Sequence, residues 1–178
     1  FSVANVDNMP FENEHFDIIV SGLALNFFPN VNIALSEIKR VLKPDGIIAA
    51  YVWDYSGRMD FLRCFWDAAF QIDPHSQHLD EGKRFPICNA DNLTHTFHEA
   101  GFDEVKTSFL DIDTTFKDFD DFWNPFLGGQ GPAPSYLASL NSDLRKALKN
   151  NLKDKLHRET DGSIKLLGRA VVVKALLM

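Results

Sequence analysis

The sequence predicts an α/β protein built on a parallel β-sheet, and three features support this. Phe16 to Val20 is short, β-branched and continuously apolar after Asp17, as expected for a strand that is buried on both faces. Apolar residues at helical spacing follow from Val31 to Leu42, and Ile47 to Trp53 is a second continuous apolar run. A strand, a helix and a strand with short connections most simply form a parallel crossover unit.

The helix of this unit has sequence signals at both ends. Asn30 precedes the first apolar position as an N-cap, and Lys39 and Arg40 lie near the C-terminal end, where cations are favoured. Pro44-Asp45-Gly46 then ends the helix.

The remainder of the chain alternates helices, loops and strands less regularly. Helices are expected over Met59 to Phe70, Leu93 to Ala100 and Asn141 to Leu156, strands over Val105 to Ile112 and Ser163 to Leu177, and a loop over Ile72 to Ile87. Gly128-Gly129-Gln130-Gly131-Pro132 interrupts an aromatic-dense segment.

Composition narrows the class of protein. A hydrophobic fraction of 45% supports one folded domain over residues 1–178. The net charge of −7, without any run of basic residues, argues against nucleic acid as a partner. No apolar stretch reaches the roughly 18 to 20 residues of a membrane span, so a cytoplasmic protein is expected. Cys64 and Cys88 are expected to be buried free thiols.

Four segments resemble, in order, the class I S-adenosylmethionine-dependent methyltransferases, and among them the methyltransferase type 11-like domains. Val3 to Phe11 is similar to the end of the family's third strand, where an acidic residue, a small residue and a spacer precede Leu-Pro-Phe. Phe16 to Ser21 resembles the fourth strand, and Leu35 to Gly46 resembles the helix and turn before the fifth. The last helix, strand, insertion and strand are similar to the region of the sixth and seventh strands.

The resemblance implies a Rossmann-like methyltransferase sheet, mostly parallel with an antiparallel last strand, lacking the first strands. Residues 1–178 then form the C-terminal portion of an N-terminally truncated domain. Residues 55–88 and 113–162 are helical and loop insertions that form a substrate cap. The chain contains no GxGxxG-like turn, and the acidic residue that binds the ribose lies upstream of Phe1 in family members. Binding of S-adenosylmethionine is therefore expected to be weak or absent.

The family's cofactor contacts map onto five residues. Asn5 takes the position of an Asp that faces the adenine amino group, and Val6 would offer its backbone N–H. Ser21, Gly22 and Leu23 follow the fourth strand, where the methionyl part of the cofactor binds. The alternatives are a turn-forming Asn5 and an ordinary strand exit at Ser21 to Leu23.

The acceptor pocket is predicted from a polar residue and several aromatic residues. Asn26 lies where the family often has a His and is expected to face the acceptor. Large apolar side chains suit a lid over an apolar or aromatic acceptor, although ordinary core packing is the alternative. The predicted substrate-binding set is Asn26, Trp53, Phe65, Trp66 and Trp123.

Methyl transfer from a sulfonium is an in-line displacement that needs positioning and exclusion of water, so no universal catalytic side chain is expected. A general base for an oxygen or nitrogen acceptor would come from Asp54, His75 or His78. No metal site is predicted, since His95 and His98 suit a helix surface and no further ligand is placed near either histidine pair.

Two functions remain open at this point. One is S-adenosylmethionine-dependent methyl transfer to a small-molecule acceptor, incomplete in this chain. The other is a catalytically inactive methyltransferase-like binding or assembly module. In either case a small molecule is the expected partner, and neither nucleic acid nor a membrane is expected. A homodimer is also expected, because truncation exposes apolar surface that favours self-association.

Overall fold

The computed structural model describes residues 3–178, which divide into two compact units. Unit 1 contains the described residues up to Trp53, Ile87–Leu110 and Ala170–Met178, and unit 2 contains Asp54–Pro86 and Asp111–Arg169. The sequence predicted a single domain with insertions over residues 55–88 and 113–162. The two residue ranges of unit 2 correspond approximately to the two predicted insertions. The role of these insertions as a substrate cap stays a prediction.

Four strands form one sheet in the order β1-β2-β4-β3. They are β1 (Phe16–Gly22), β2 (Leu42–Trp53), β3 (Asp103–Phe116) and β4 (Ile164–Leu176). β1 is parallel to β2, with Ile19 opposite Ile48, and β2 is antiparallel to β4, with Ala50 opposite Val173. The predicted α/β fold with an antiparallel last strand is confirmed, and the sheet is mixed.

Seven α-helices and three short 3₁₀ helices accompany the strands within residues 3–178. The α-helices are α1 (Val31–Val41), α2 (Asp60–Ile72), α3 (Glu81–Arg84), α4 (Ala90–Glu99), α5 (Phe119–Trp123), α6 (Pro132–Ser139) and α7 (Ser142–Lys155). The 3₁₀ helices are Leu25–Phe27, Pro74–Leu79 and Asn124–Gly128. None of the described helices has both the length and the hydrophobicity that a bilayer span requires.

In unit 1, α1 forms as its sequence signals predict. The Asn30 side chain accepts hydrogen bonds from the backbone N–H groups of Asn32 and Ile33 and so caps the helix. One face of α1 is buried, through Ala34, Leu35, Ile38 and Val41. Lys39 Nζ donates to the carbonyl oxygens of Ala100 and Gly101 at 3.0 and 3.1 Å, which ties α1 to the end of α4.

The segment before β1 differs from the prediction. Residues Val3 to Val6 do not form a third parallel strand; the chain turns, and the Asn8 N–H donates to the Asn5 carbonyl at 3.1 Å. An extended segment becomes a strand only when a neighbouring strand pairs with its backbone groups. No named strand within residues 3–178 pairs with it, and β1 pairs only with β2, in parallel.

Unit 2 has an aromatic core. Phe65, Phe122 and Phe126 are almost fully buried, with ring centroids 4.5 Å apart for Phe65 and Phe126 and 5.6 Å apart for Phe122 and Phe126. This stacking supplies large apolar contact area between α2, α5 and the 3₁₀ helix Asn124–Gly128.

The predicted loop from Ile72 to Ile87 contains a 3₁₀ helix and α3 instead. Asp73 and Asp80 explain the difference, because their carboxylates accept hydrogen bonds from the backbone N–H groups of His75 and Gly82 and cap the two short helices. Hydrophobic periodicity does not reveal helices of this length.

Phe126 and Leu127 offer a matched test of the core of unit 2, because Phe126 is 1% exposed and its neighbour Leu127 is 57% exposed. We predict that Phe126→Ala lowers the free energy of unfolding by about 3–5 kcal/mol through lost burial and a cavity. Leu127→Ala is expected to change it by less than about 0.5 kcal/mol. Urea denaturation followed by circular dichroism measures both, and equal effects would contradict this core.

Candidate functional site

The carboxyl ends of β1 and β2 lie side by side in unit 1. Gly22 is opposite Tyr51, and the Leu23 N–H donates to the Tyr51 carbonyl at 2.9 Å. Ligands of open α/β sheets bind outside the carboxyl ends of parallel strands. Ser21, Gly22 and Leu23 lie at this edge, and their contact with a cofactor stays a prediction. Trp53 ends β2, half-buried, and pairs with Ala170.

The backbone at this edge is unusual. Leu23 has a φ of +53°, a conformation that costs energy for a residue with a side chain and that concentrates at functional sites. A Cβ atom on Gly22 would lie 2.6 Å from the Tyr51 hydroxyl oxygen, so only glycine leaves room for the Tyr51 side chain as it stands. The close approach that the sequence predicted at Gly22 is made by Tyr51.

Three buried polar atoms of unit 1 have no hydrogen-bond partner among residues 3–178. They are Ser21 Oγ, Asn26 Nδ2 and Asp7 Oδ1. Asn26 lies in the 3₁₀ helix Leu25–Phe27, which the fully buried Leu25 anchors. A buried polar group without a partner costs about 1–3 kcal/mol, so these atoms can accept or donate hydrogen bonds to a bound molecule or to water.

Asp7 was not among the residues predicted from the sequence. Its signal was its acidic side chain directly after Val6, but the family pattern drew attention to Asn5 instead.

Asn5 and Val6 lie in a turn. Asn5 is exposed, and its Oδ1 accepts a hydrogen bond from the Asp7 N–H at 3.1 Å, which favours the alternative of a turn-forming Asn5. An amide oxygen has two lone pairs, so one remains for a second donor. Val6 is half-buried and outside any strand. Contact of Asn5 and Val6 with adenine stays a prediction.

Glu37 and Arg40 of α1 hold the segment that follows this turn. Arg40 donates to the carbonyl oxygens of Met9 and Phe11 at 3.1 and 2.9 Å, and Glu37 Oε1 accepts from the Met9 N–H at 2.8 Å. The two side chains also form an ion pair at 2.6 Å. Hydrogen bonds from Arg40 and from Met9 lower the pKa of Glu37 to about 2.

The aromatic residues predicted to contact the acceptor lie in the interior of unit 2. Phe65 and Trp66 are fully buried and Trp123 is 3% exposed. Trp66 Nε1 donates to Glu81 Oε2 at 2.6 Å, and burial raises the pKa of the Glu81 carboxyl. These positions favour ordinary core packing, and contact with an acceptor stays a prediction.

The predicted bases have local structural contacts. The Asp54 carboxylate accepts hydrogen bonds from the Gly57 and Arg58 N–H groups at 3.0 and 3.2 Å and closes a turn. His75 and His78 are exposed, with His78 Nδ1 2.6 Å from the His75 carbonyl oxygen. No three metal-binding side chains cluster anywhere in residues 3–178.

A cleft of about 460 Å³ lies between α2 and α7 in unit 2. Phe70, Leu152 and Leu156 contribute apolar surface to it, and Cys64 lines one side. Burial raises the pKa of the Cys64 thiol to about 11, so at neutral pH the thiol is protonated and a poor nucleophile. The cleft suits an apolar molecule but supplies no reactive group.

Comparison with known proteins finds methyltransferases. Residues 1–50 match the family model of the methyltransferase domain. The match covers 50 of the 178 residues and supports the resemblance to the class I methyltransferases. Among solved structures, a putative methyltransferase from Bacillus halodurans superimposes with a TM-score of 0.53 at 19% identity, over 97% of this chain and 69% of that one. The YcgJ protein from Bacillus subtilis gives 0.52 at 17% identity, over 96% of this chain and 68% of that one.

The curated relatives of this chain carry more than one name. A demethylmenaquinone methyltransferase from Staphylococcus haemolyticus is 28% identical over 109 residues, 56% of this chain and 46% of the relative. The human mitochondrial arginine-hydroxylase NDUFAF5 is 24% identical over 166 residues, 91% of this chain and 46% of the relative. The matched regions span about half the length of these relatives.

We predict that Glu37→Gln destabilises the chain most at neutral pH. Because the pKa of Glu37 falls from 4.5 to about 2 on folding, its carboxylate stabilises the folded state above pH 4.5, and this contribution is lost as the pH falls toward 2. The difference in melting temperature between the variant and the parent should therefore shrink over that interval. Glu12→Gln, at an exposed residue, is the matched control for one lost charge. A constant difference for Glu37→Gln would contradict the contact.

Proposed function

We propose that this chain takes part in S-adenosylmethionine-dependent methyl transfer to a small-molecule acceptor. The observation that carries the proposal is the pair of buried, unpartnered polar atoms, Ser21 Oγ and Asn26 Nδ2, at the carboxyl end of β1. A hydroxyl and an amide N–H₂ suit the carboxylate and amino groups of a methionyl moiety, and Asp7 Oδ1 suits a donor such as an amine or a hydroxyl. The donor set therefore fits this cofactor.

The residues of the chain would act by positioning. When bound, S-adenosylmethionine supplies an electrophilic methyl group. Ser21 and Asn26 would orient the bound molecule by hydrogen bonds, and Leu23, held at a positive φ, would keep the backbone of the strand exit in one conformation. Glu37 and Arg40 would fix the segment beyond Asp7. This arrangement assigns no general base to unit 1.

A quinone-like aromatic ring is the acceptor class we favour. Two relatives support it by name: the staphylococcal demethylmenaquinone methyltransferase, 28% identical, and the ubiquinone/menaquinone C-methyltransferase UbiE of Bartonella quintana, 27% identical over 59% of this chain. Apolar surface of the kind found in unit 2 suits such a ring.

Binding of the cofactor to this chain alone is expected to be weak. The 178 residues contain no glycine-rich turn that would follow a first strand, and no acidic residue is placed to hold the ribose hydroxyls. Only the contacts near β1 and Asp7 would then contribute to affinity.

A second candidate is a module of this fold that does not transfer methyl groups. The human relative that matches 91% of this chain is named an arginine-hydroxylase. A protein similar to this chain can therefore have a name that does not mention methyl transfer. The second candidate predicts that S-adenosylmethionine does not bind at the carboxyl end of β1.

Titration of the ¹⁵N-labelled chain with S-adenosylmethionine distinguishes the two candidates. We predict millimolar binding, with amide shifts concentrated at Ser21, Gly22, Leu23 and Asn26. Ser21→Ala and Asn26→Ala should each weaken binding about five-fold, equivalent to about 1 kcal/mol for one hydrogen bond. Ser36→Ala and Asn32→Ala, at exposed residues of α1, are the matched controls.

The cofactor site would be contradicted if no amide shifts appear up to the solubility limit of S-adenosylmethionine, or if the shifts are confined to other residues. Either result would favour the second candidate. Transfer of a labelled methyl group to a demethylated quinone tests the acceptor class separately. Transfer to another acceptor and to no quinone would exclude that class and leave the cofactor site intact.

A further inference from the structure

A buried hydrogen-bond acceptor lies beside the cleft between α2 and α7. Asn151 of α7 donates through Nδ2 to Gln71 Oε1 of α2 at 2.9 Å, and its own Oδ1 is buried without a partner among residues 3–178. Gln71 lines the cleft, and so does Lys155, which lies one turn after Asn151 on the same face of α7. We propose that this cleft binds a neutral aromatic molecule that carries a hydroxyl group, with the hydroxyl donating to Asn151 Oδ1.

The inference does not rest on the proposed function. Every residue that lines the cleft belongs to unit 2, whereas the proposed cofactor contacts belong to unit 1. The lining residues lie on α2, on α7 and directly after α7, and none of them belongs to the sheet. The proposal is therefore independent of the strands that complete the sheet.

The walls of the cleft suit an aromatic ring. Its volume of about 460 Å³ is in the range of small-molecule sites. Leu152 and Leu156 supply apolar surface on one side, and Phe70 supplies it on the other. Phe70 stacks on the fully buried Trp66 with ring centroids 6.2 Å apart, so the core holds it in place. Because aromatic rings favour offset or edge contacts with other rings, this wall favours an aromatic ligand over an aliphatic one of equal size.

The charges of the cleft favour a neutral ligand. Asp67 of α2 and Lys155 of α7 are the two charged residues that line it, and their charges cancel. Cys64 adds no charge at neutral pH, because burial raises the pKa of its thiol to about 11. An ion of either sign would lose hydration in the cleft without a net electrostatic attraction to replace it.

The free oxygen of Asn151 determines which polar group the ligand needs. A buried acceptor is costly without a donor, and a donor on the ligand removes that cost. A hydroxyl group supplies one donor and carries no charge, so it meets both requirements of the cleft. Water also donates to such an oxygen, and variants of Asn151 distinguish water from a hydroxyl of the ligand.

Titration of the ¹⁵N-labelled chain with 2-naphthol tests the proposal. We predict a dissociation constant of about 1 mM, as expected for a small aromatic ligand of this size. The amide shifts should concentrate at the residues that line the cleft, namely Cys64, Phe70, Gln71, Leu152 and Leu156.

Asn151→Leu tests the contact with the hydroxyl. It should weaken binding of 2-naphthol about five-fold through the loss of one hydrogen bond. It should not weaken binding of 2-methylnaphthalene, in which a methyl group replaces the hydroxyl. Asn150→Leu makes the same change at an exposed neighbour on α7 and should leave both affinities unchanged.

Cys64→Phe tests the location, because the larger side chain fills the cleft from the side of α2 and should abolish the shifts. Cys64→Ser keeps the size of the residue and should retain them. The measurements on the parent chain and on the asparagine variants do not rely on these substitutions. The proposal would be overturned if no shifts appear at the lining residues up to the solubility limit of 2-naphthol, if the shifts persist in folded Cys64→Phe, or if Asn151→Leu and Asn150→Leu bind 2-naphthol equally.

Discussion

The parallel pairing of β1 with β2 is the interaction on which the candidate site depends. It brings the ends of two strands that are separated by all of α1 to one edge, and the bond from Leu23 to Tyr51 fixes their relative height. Without that pairing, Ser21, Gly22 and Leu23 would not lie beside the end of β2. α1, which joins the two strands, buries Leu35 and Ile38 in the interior of unit 1.

The motif around α1 has two separable roles. Its apolar residues build the interior of unit 1, and its charged residues Glu37 and Arg40 organise the loop from Met9 to Phe11. Both residues of the ion pair are also bound to backbone groups, so neither charge is satisfied by the other alone. The charged residues of this motif are therefore explained by the hydrogen bonds that hold the loop, without a contact with substrate.

The parts of the fold that the sequence predicted are those in which local signals and packing agree. Asn30 caps α1, Gly101 ends α4 at a positive φ, and continuous apolar runs become β1 and β2. The segment from Val3 was mispredicted as a strand, because pairing depends on a neighbour that sequence spacing does not show. Of the candidate site, the residues after β1 could be predicted, but Asp7 could not, since burial of its oxygen depends on tertiary structure.

The contact of Tyr51 with Gly22 determines what a larger residue at the end of β1 would displace. The room that a side chain at residue 22 would take is filled by a phenol ring and not by main chain, and Tyr51 is 37% exposed. An exposed ring can swing aside by rotation about its side-chain bonds within nanoseconds, while main chain would have to refold. A residue larger than glycine at this position would therefore displace one side chain and leave the sheet unchanged.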